Sequence, residues 1–357
     1  MQLRIAQVGS LWENTPPPKY GGTERVVSLL TEGLVKRGFD VTLFACGSST
    51  TAAKLVSVYP RPLYRDGIAW TNVGYPLLHI TEAFDREHEF DIIHVHLNKA
   101  SDYLALPLAV RLAQKTVFTL HFPYPSMSGR EDRHKILQKY KKLNFVSISN
   151  SQRQGGENLN WIATVYNGID MSKYSFSGKP EDYVLWLGKF NPDKGTKEAI
   201  LAAREAGVVI RVAGAIDTTE GPDFVYYRDE VKPMLDGISA LTIGEVNDEE
   251  KDQLYGHALA FLNPIKWNEP FGLVMAEAMA TGTPVIAFPN GAAPELIIDG
   301  KTGYLVGDIH EMAARIKMVG TLSRQVCREH IEKKFSSDKM VDGYINVYNT
   351  ILKDSKI

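Results

Sequence analysis

Leu3-Arg4-Ile5-Ala6-Gln7-Val8, then Val26, Val27, Leu30 and Leu34, then Asp40-Val41-Thr42-Leu43-Phe44: this opening decides the fold. The first run is short and mostly apolar, as expected of a strand buried on both faces. The four apolar residues that follow recur at helical spacing across residues 22–37, and Gly38 stops them. The third run is again a strand. Strand, crossover helix and strand in that order predict a parallel pair.

The same unit repeats outward. Strand-like runs lie at residues 91–95, 115–120 and 144–148, with helical patterns near 100–112 and 130–142. After Asn167-Gly168-Ile169-Asp170 comes a polar stretch with Ser175, Ser177, Gly178, Lys179 and Pro180, which reads as a linker. The pattern then restarts, with strands expected at 183–187, 208–213, 239–243, 258–262 and 284–288. The expected fold class is α/β, with two doubly wound, Rossmann-like parallel-sheet domains in tandem. In such sheets ligands bind beyond the carboxyl ends of the strands, and two domains facing each other would leave a central cleft.

Bulk properties narrow the function. The chain has 357 residues, 44% hydrophobic and 23% charged, more than one core usually serves. The opening lacks the basic and long apolar regions of a signal peptide, and no apolar run approaches the ~20 residues that span a bilayer. A cytoplasmic location is expected. Cys46 and Cys327 are too few and too far apart for a disulfide framework or a zinc site. Residues 1–168 hold 19 Lys and Arg against 14 Asp and Glu, a net +5, and the remainder nets −7. That asymmetry is too weak for a nucleic-acid partner.

The densest chemistry lies in Asn268-Glu269-Pro270-Phe271-Gly272-Leu273-Val274-Met275-Ala276-Glu277, followed by Ala278 to Ala287. A helix starting near Phe271 or Gly272 would put Glu269 at its mouth and Glu277 a turn or more inside. Free N–H groups there suit phosphates and hydroxyls, and carboxylates accept from sugar or ribose hydroxyls. On spacing alone, a capped helix with one solvated glutamate fits equally well.

Gly21-Gly22 lets backbone amides approach a phosphate at a helix start, or makes a plain tight turn. No dinucleotide fingerprint follows the first strand. Lys189 and Lys194, at the end of a strand and in the next turn, could offset the charge of a departing diphosphate, or could be solvated. His121 ends an apolar strand. His94 and His96 share one side of another, without a third ligand for a metal. Residues 130–142 carry Arg130, Arg133, Lys135, Lys139, Lys141 and Lys142 beside an apolar stripe of Ile136, Leu137 and Tyr140. This is an amphipathic surface helix whose basic face is solvated or meets anionic lipid or an anionic acceptor.

Taken together, these segments resemble the retaining glycosyltransferases of family 4, which have the GT-B fold. The Glu269-to-Glu277 string resembles the family's glutamate-x7-glutamate segment, and Tyr20 to Glu24 its glycine loop. Residues 117–121 resemble the strand ending in the active-site histidine. Residues 146–151 and 165–170 resemble the domain-closing segments, and residues 187–195 the diphosphate-binding turn. Lys189 stands where the family usually carries arginine, and Ile265 where it usually carries serine.

The resemblance implies a metal-independent, retaining hexosyltransferase that needs no cofactor. It would take a nucleotide-sugar (UDP- or GDP-sugar) as donor and an unidentified hydroxyl as acceptor. Lys189 and Lys194 would stabilise the diphosphate beside Gly188. Glu269 and the Phe271, Gly272 and Leu273 backbone would hold the donor sugar, and Glu277 the ribose. Val246 would lie near the base, His121 would orient the reacting sugar, and Gly21 and Gly22 would admit the phosphates. The implied organisation is an acceptor-side domain over 1–168, a donor-binding domain over 169–340, and a helix over 341–357 packing back on the first. A GT-B sugar-nucleotide epimerase and a non-catalytic two-domain sugar-binding protein are the competing readings.

Overall fold

The computed structural model describes residues 2–19, 21–124, 130–217 and 221–354. It resolves into two units, one built from the chain up to Gly168 and from Ser337 onward, the other from Ile169–Ser336. Each is organised on a single parallel sheet.

The first sheet contains β1 (Arg4–Val8), β2 (Asp40–Phe44), β3 (Lys54–Val56), β4 (Ile92–Leu97), β5 (Thr116–Leu120), β6 (Asn144–Ser147) and β7 (Trp161–Thr164). Their order is β3-β2-β1-β4-β5-β6-β7, with parallel pairing throughout. The second contains β8 (Tyr183–Leu187), β9 (Val209–Ala213), β10 (Ala240–Gly244), β11 (Ala260–Asn263), β12 (Val285–Ala287) and β13 (Gly303–Leu305). Their order is β10-β9-β8-β11-β12-β13, again parallel. The doubly wound α/β reading is therefore correct for both sheets. Strand order reverses between β1 and β4 and between β8 and β11, and these are the two places where such a sheet opens a ligand crevice at its carboxyl edge.

Apolar strands buried on both faces drive the arrangement. In the first unit Ala6, Val8, Val95, Phe118 and Phe145 pack against Ile80, Ala83, Leu106 and Leu137 of the covering helices. In the second, Val184, Trp186, Ile210, Leu262 and Ile286 pack against Ala199, Ile200, Met312 and Ile316. Strands β3, β7 and β13 escape the sequence pattern because they are sheet edges of three or four residues. Their side chains are half-buried or mixed with glycine, and the runs are too short to stand out. The pattern near 100–112 is a five-residue helix, Ala105–Ala109, between two 3-10 turns, and the basic helix spans Glu131–Lys139.

The final helix, Ser337–Asp354, lies against Gly22–Lys36 in the first unit. Contact is close at Gly33, where a Cβ would sit 2.5 Å from Val341 Cγ2. Arg37 pairs with Asp338 (3.1 Å) and Asp342 (2.8 Å). Among the described residues no helix is long and apolar enough to cross a membrane.

Candidate functional site

The second unit assembles its polar groups at the β8–β11 reversal. After β8 the chain passes Gly188 and Lys189 into Asn191-Pro192-Asp193-Lys194-Gly195. The Asn191 side chain accepts from the Lys194 N–H (3.0 Å), Pro192 opens the turn, and Trp186 Nε1 donates to the Lys194 carbonyl (3.1 Å). The loop after β11 is tied to this turn by the Lys266 N–H, which donates to the Asp193 carbonyl (2.8 Å). These constraints bring Lys194 Nζ to 2.5 Å from Glu269 Oε2. Trp267 Nε1 donates to the same oxygen (3.0 Å), and the ammonium lies 5.0 Å from the centroid of the Trp267 ring.

The helix expected from Phe271 or Gly272 begins at Leu273 and runs to Ala280. Gly272 caps it at φ 91°, a left-handed conformation that side chains resist. The Leu273 and Val274 N–H groups precede the helical ladder and point from a positive dipole end. The Phe271 side chain is core, packed edge-on to Phe335 with centroids 5.9 Å apart. Glu277 is buried one helical turn on, with Lys251 Nζ and Tyr255 Oη each 3.4 Å from Oε2. Val246 is half-buried just past the end of β10.

Lys189 is not drawn into this cluster. Its Nζ lies 2.6 Å from Asp223 Oδ2 and 3.6 Å from Asp217 Oδ2, and the hydrogen bond to Asp223 raises its pKa. The two lysines expected to act together thus take different carboxylates. Trp267, Lys251, Tyr255 and Asp223 went unread in the sequence. Trp267, two residues before Glu269, and the i, i+4 pair Lys251 and Tyr255 on the helix Asp248–His257 were the available signals.

In the first unit, Gly21 precedes the helix that begins at Gly22, with the Gly21 carbonyl accepting from the Arg25 N–H (3.1 Å). Tyr20 lies outside the described residues. At the β1–β4 reversal, Gly9, Ser10, Trp12, His79, His96 and Asp102 line a small cavity. Burial pushes the Asp102 carboxyl up to about 6 despite two backbone N–H donors, and holds His79 down to about 4. His121, just past β5, is buried. Its Nε2 lies 2.9 Å from His96 Nδ1, and desolvation lowers it to about 3, so it is a neutral imidazole at physiological pH. His94 and His96 are buried in β4 and hydrogen-bonded to protein groups. Among the described residues no group of three or more His, Cys, Asp or Glu side chains is arranged to hold a metal ion.

Comparison with known proteins follows the same division. Residues 20–173 match the family model described as Glycosyltransferase Family 4, and residues 170–333 match that of Glycosyl transferases group 1. The chain is 27% identical to the N-acetyl-alpha-D-glucosaminyl L-malate synthase of Bacillus anthracis, over 95% of its own length and 96% of that protein. It is also 27% identical to the phosphatidyl-myo-inositol mannosyltransferase of Mycolicibacterium smegmatis, over 83% and 80%. Among solved structures, sucrose-phosphate synthase from Thermosynechococcus elongatus superposes with a TM-score of 0.78, at 18% identity, covering 99% of this chain and 100% of that one.

Proposed function

Because the chain belongs to the glycosyltransferases of the GT-B fold, we propose that it moves a hexose-type sugar from a UDP- or GDP-sugar to a hydroxyl acceptor with retention of configuration. The observation that carries this reading is the Lys194–Glu269 pair at the β8–β11 reversal, beside the N-terminus of the helix Leu273–Ala280. A cation, a carboxylate and free backbone N–H groups in one place match a ligand that is anionic at one end and rich in hydroxyls at the other.

The roles follow from the chemistry. Lys194 and the helix N-terminus neutralise the diphosphate as the glycosidic bond breaks, and Lys189 adds a second cation on exchanging its carboxylate partners for phosphate. Glu269 then accepts from sugar hydroxyls and Glu277 from the ribose. Gly188, with Gly21 and Gly22, leaves room for the phosphates, Val246 lies by the base, and His121 accepts from a hydroxyl of the reacting sugar. These cations belong to the chain, so the proposed transfer is metal-independent. The departing diphosphate takes the acceptor proton, which leaves the two glutamates to bind rather than to act as an acid/base pair.

The test is incubation with UDP-, GDP- and ADP-sugars and a panel of hydroxyl acceptors. Acceptor-dependent release of nucleoside diphosphate supports transfer. Interconversion of the sugar would indicate an epimerase instead, and binding without turnover a receptor.

We also propose peripheral contact of the helix Glu131–Lys139 and its flank with anionic lipid. Lys135, Lys139, Lys141 and Lys142 are exposed there while Leu137 is buried inward, a charge distribution complementary to an anionic surface. Co-sedimentation with phosphatidylglycerol vesicles at low salt checks it, and absence of binding removes it.

A further inference from the structure

Parallel sheets covered on both faces are normally apolar inside, yet the first unit buries Gln7 on β1, His94 and His96 on β4, and Thr119 on β5. These residues form one connected chain with Tyr344 and Tyr348 of the final helix. Gln7 Nε2 donates to Tyr348 Oη (2.9 Å), and Gln7 Oε1 lies 2.8 Å from His96 Nε2. His96 Nδ1 is 2.9 Å from His121 Nε2. At the other end, Tyr348 Oη is 2.8 Å from His94 Nδ1, His94 Nε2 is 2.7 Å from Thr119 Oγ1, and Thr119 Oγ1 is 3.0 Å from Tyr344 Oη.

Donor accounting gives this chain a direction. Burial holds all three histidines well below their ordinary range, so each carries a single ring proton. An amide oxygen only accepts, so the His96 proton is on Nε2. His96 Nδ1 is then bare and accepts, which puts the His121 proton on Nε2. His121 Nδ1, which has no partner among the described residues, is left with its lone pair. In the opposite sense, Tyr348 accepts from Gln7 and donates to His94, which donates to Thr119. Turning the Gln7 amide over would reverse every donor at once and make His121 Nδ1 a donor. The orientation of one amide therefore selects what His121 offers to a ligand.

We propose that Gln7, its amide N–H accepted by Tyr348, is a positioning residue that acts through His96 to hold His121 as a hydrogen-bond acceptor for a substrate hydroxyl. This rests on the reading of His121 as a substrate contact given above. It adds an assignment for two residues outside the motifs read from the sequence, one of them on the final helix.

The test is a long-range proton–nitrogen correlation spectrum of the histidine rings in the intact, ligand-free protein, alongside steady-state kinetics. His121 is expected to carry its proton on Nε2 alone. Tyr348→Phe removes the acceptor of the Gln7 amide and should add a second His121 signal with the proton on Nδ1. Gln7→Met should lower kcat about 10- to 100-fold, the cost of one misdirected buried hydrogen bond, with a smaller change in KM for the nucleotide-sugar.

A wild-type His121 protonated on Nδ1, a single unchanged signal in Tyr348→Phe, or an unchanged kcat in a folded Gln7→Met overturns the inference. If the wild-type protein turns over no nucleotide-sugar, the proposed function fails, and the ring spectra of wild type and Tyr348→Phe decide the positioning role alone. The same spectra decide it if Gln7→Met does not fold.

Discussion

Lys194 Nζ and Glu269 Oε2 lie 2.5 Å apart although 75 positions separate them, and both side chains are mostly buried, at 23% and 15% exposure. A charge so placed is stable only while its partner is present. Lys194→Ala leaves Glu269 with the Trp267 N–H as its remaining side-chain donor, and should cost about 1–3 kcal/mol of stability. The proposed transfer should fall about 100-fold or more. Adding Glu269→Ala should recover part of the stability and none of the activity. Chemical denaturation and turnover of the four-member mutant cycle measure both; independent, additive stability effects would refute the coupling.

Gly291 supports Glu269 from the other side. It has φ 59°, and a Cβ there would sit 2.2 Å from the Glu269 carbonyl oxygen and 2.4 Å from its nitrogen. Gly291→Ala should therefore destabilise the second unit by about 1–3 kcal/mol and displace the Glu269 backbone. The expected signature is a rise in the donor KM together with a drop in kcat. Wild-type kinetics in a folded variant would show that the displacement does not reach the carboxylate.

The final helix should depend on Gly33 in the same way. Gly33→Ala places a methyl 2.5 Å from Val341 Cγ2 and should cost about 1–3 kcal/mol by overpacking. Val341→Ala added to it should restore much of the loss, because the clash is with that one side chain. Equilibrium denaturation of the single and double variants checks this, and two additive losses would be the contrary result.

Acid should weaken the first unit. His79 is held down to about 4 and His121 to about 3 by burial, and His94 and His96 are also lowered. A histidine with a depressed folded pKa contributes stability that is complete above its unfolded value near 6.5 and is lost as pH falls toward the folded value. Linkage gives about 2 kcal/mol lost per independent histidine between pH 7 and pH 5. Asp102, raised to about 6, acts in the opposite sense and returns about 1 kcal/mol over that interval. Hydrogen exchange of β1, β4 and β5 at pH 7 and pH 5 should show faster opening at the lower pH. Equal protection would mean that the ring nitrogens are solvated.

Much of the fold was legible because a strand buried on both faces leaves a short, mostly apolar run. Asp40–Phe44 and Tyr183–Leu187 were read to the residue for that reason. The half-buried edge strands Lys54–Val56 and Trp161–Thr164, only three and four residues long, were not read. The helix start was read to within one or two residues, since Gly272 takes the left-handed cap that only glycine adopts readily, with Leu273 next.

By itself, then, the sequence determined two parallel α/β sheets and the chemical types placed at their carboxyl edges, because burial pattern and backbone punctuation are local properties of the chain. Tertiary structure alone decided which of those groups meet. Nothing near Lys194 or Lys189 in sequence says that the first takes Glu269 and the second Asp223. Nothing near His121 announces Gln7 or Tyr348, separated from each other by 341 positions. Ion pairs and hydrogen bonds act over a few ångströms, so their partners are chosen by the packing of the sheets and not by distance along the chain.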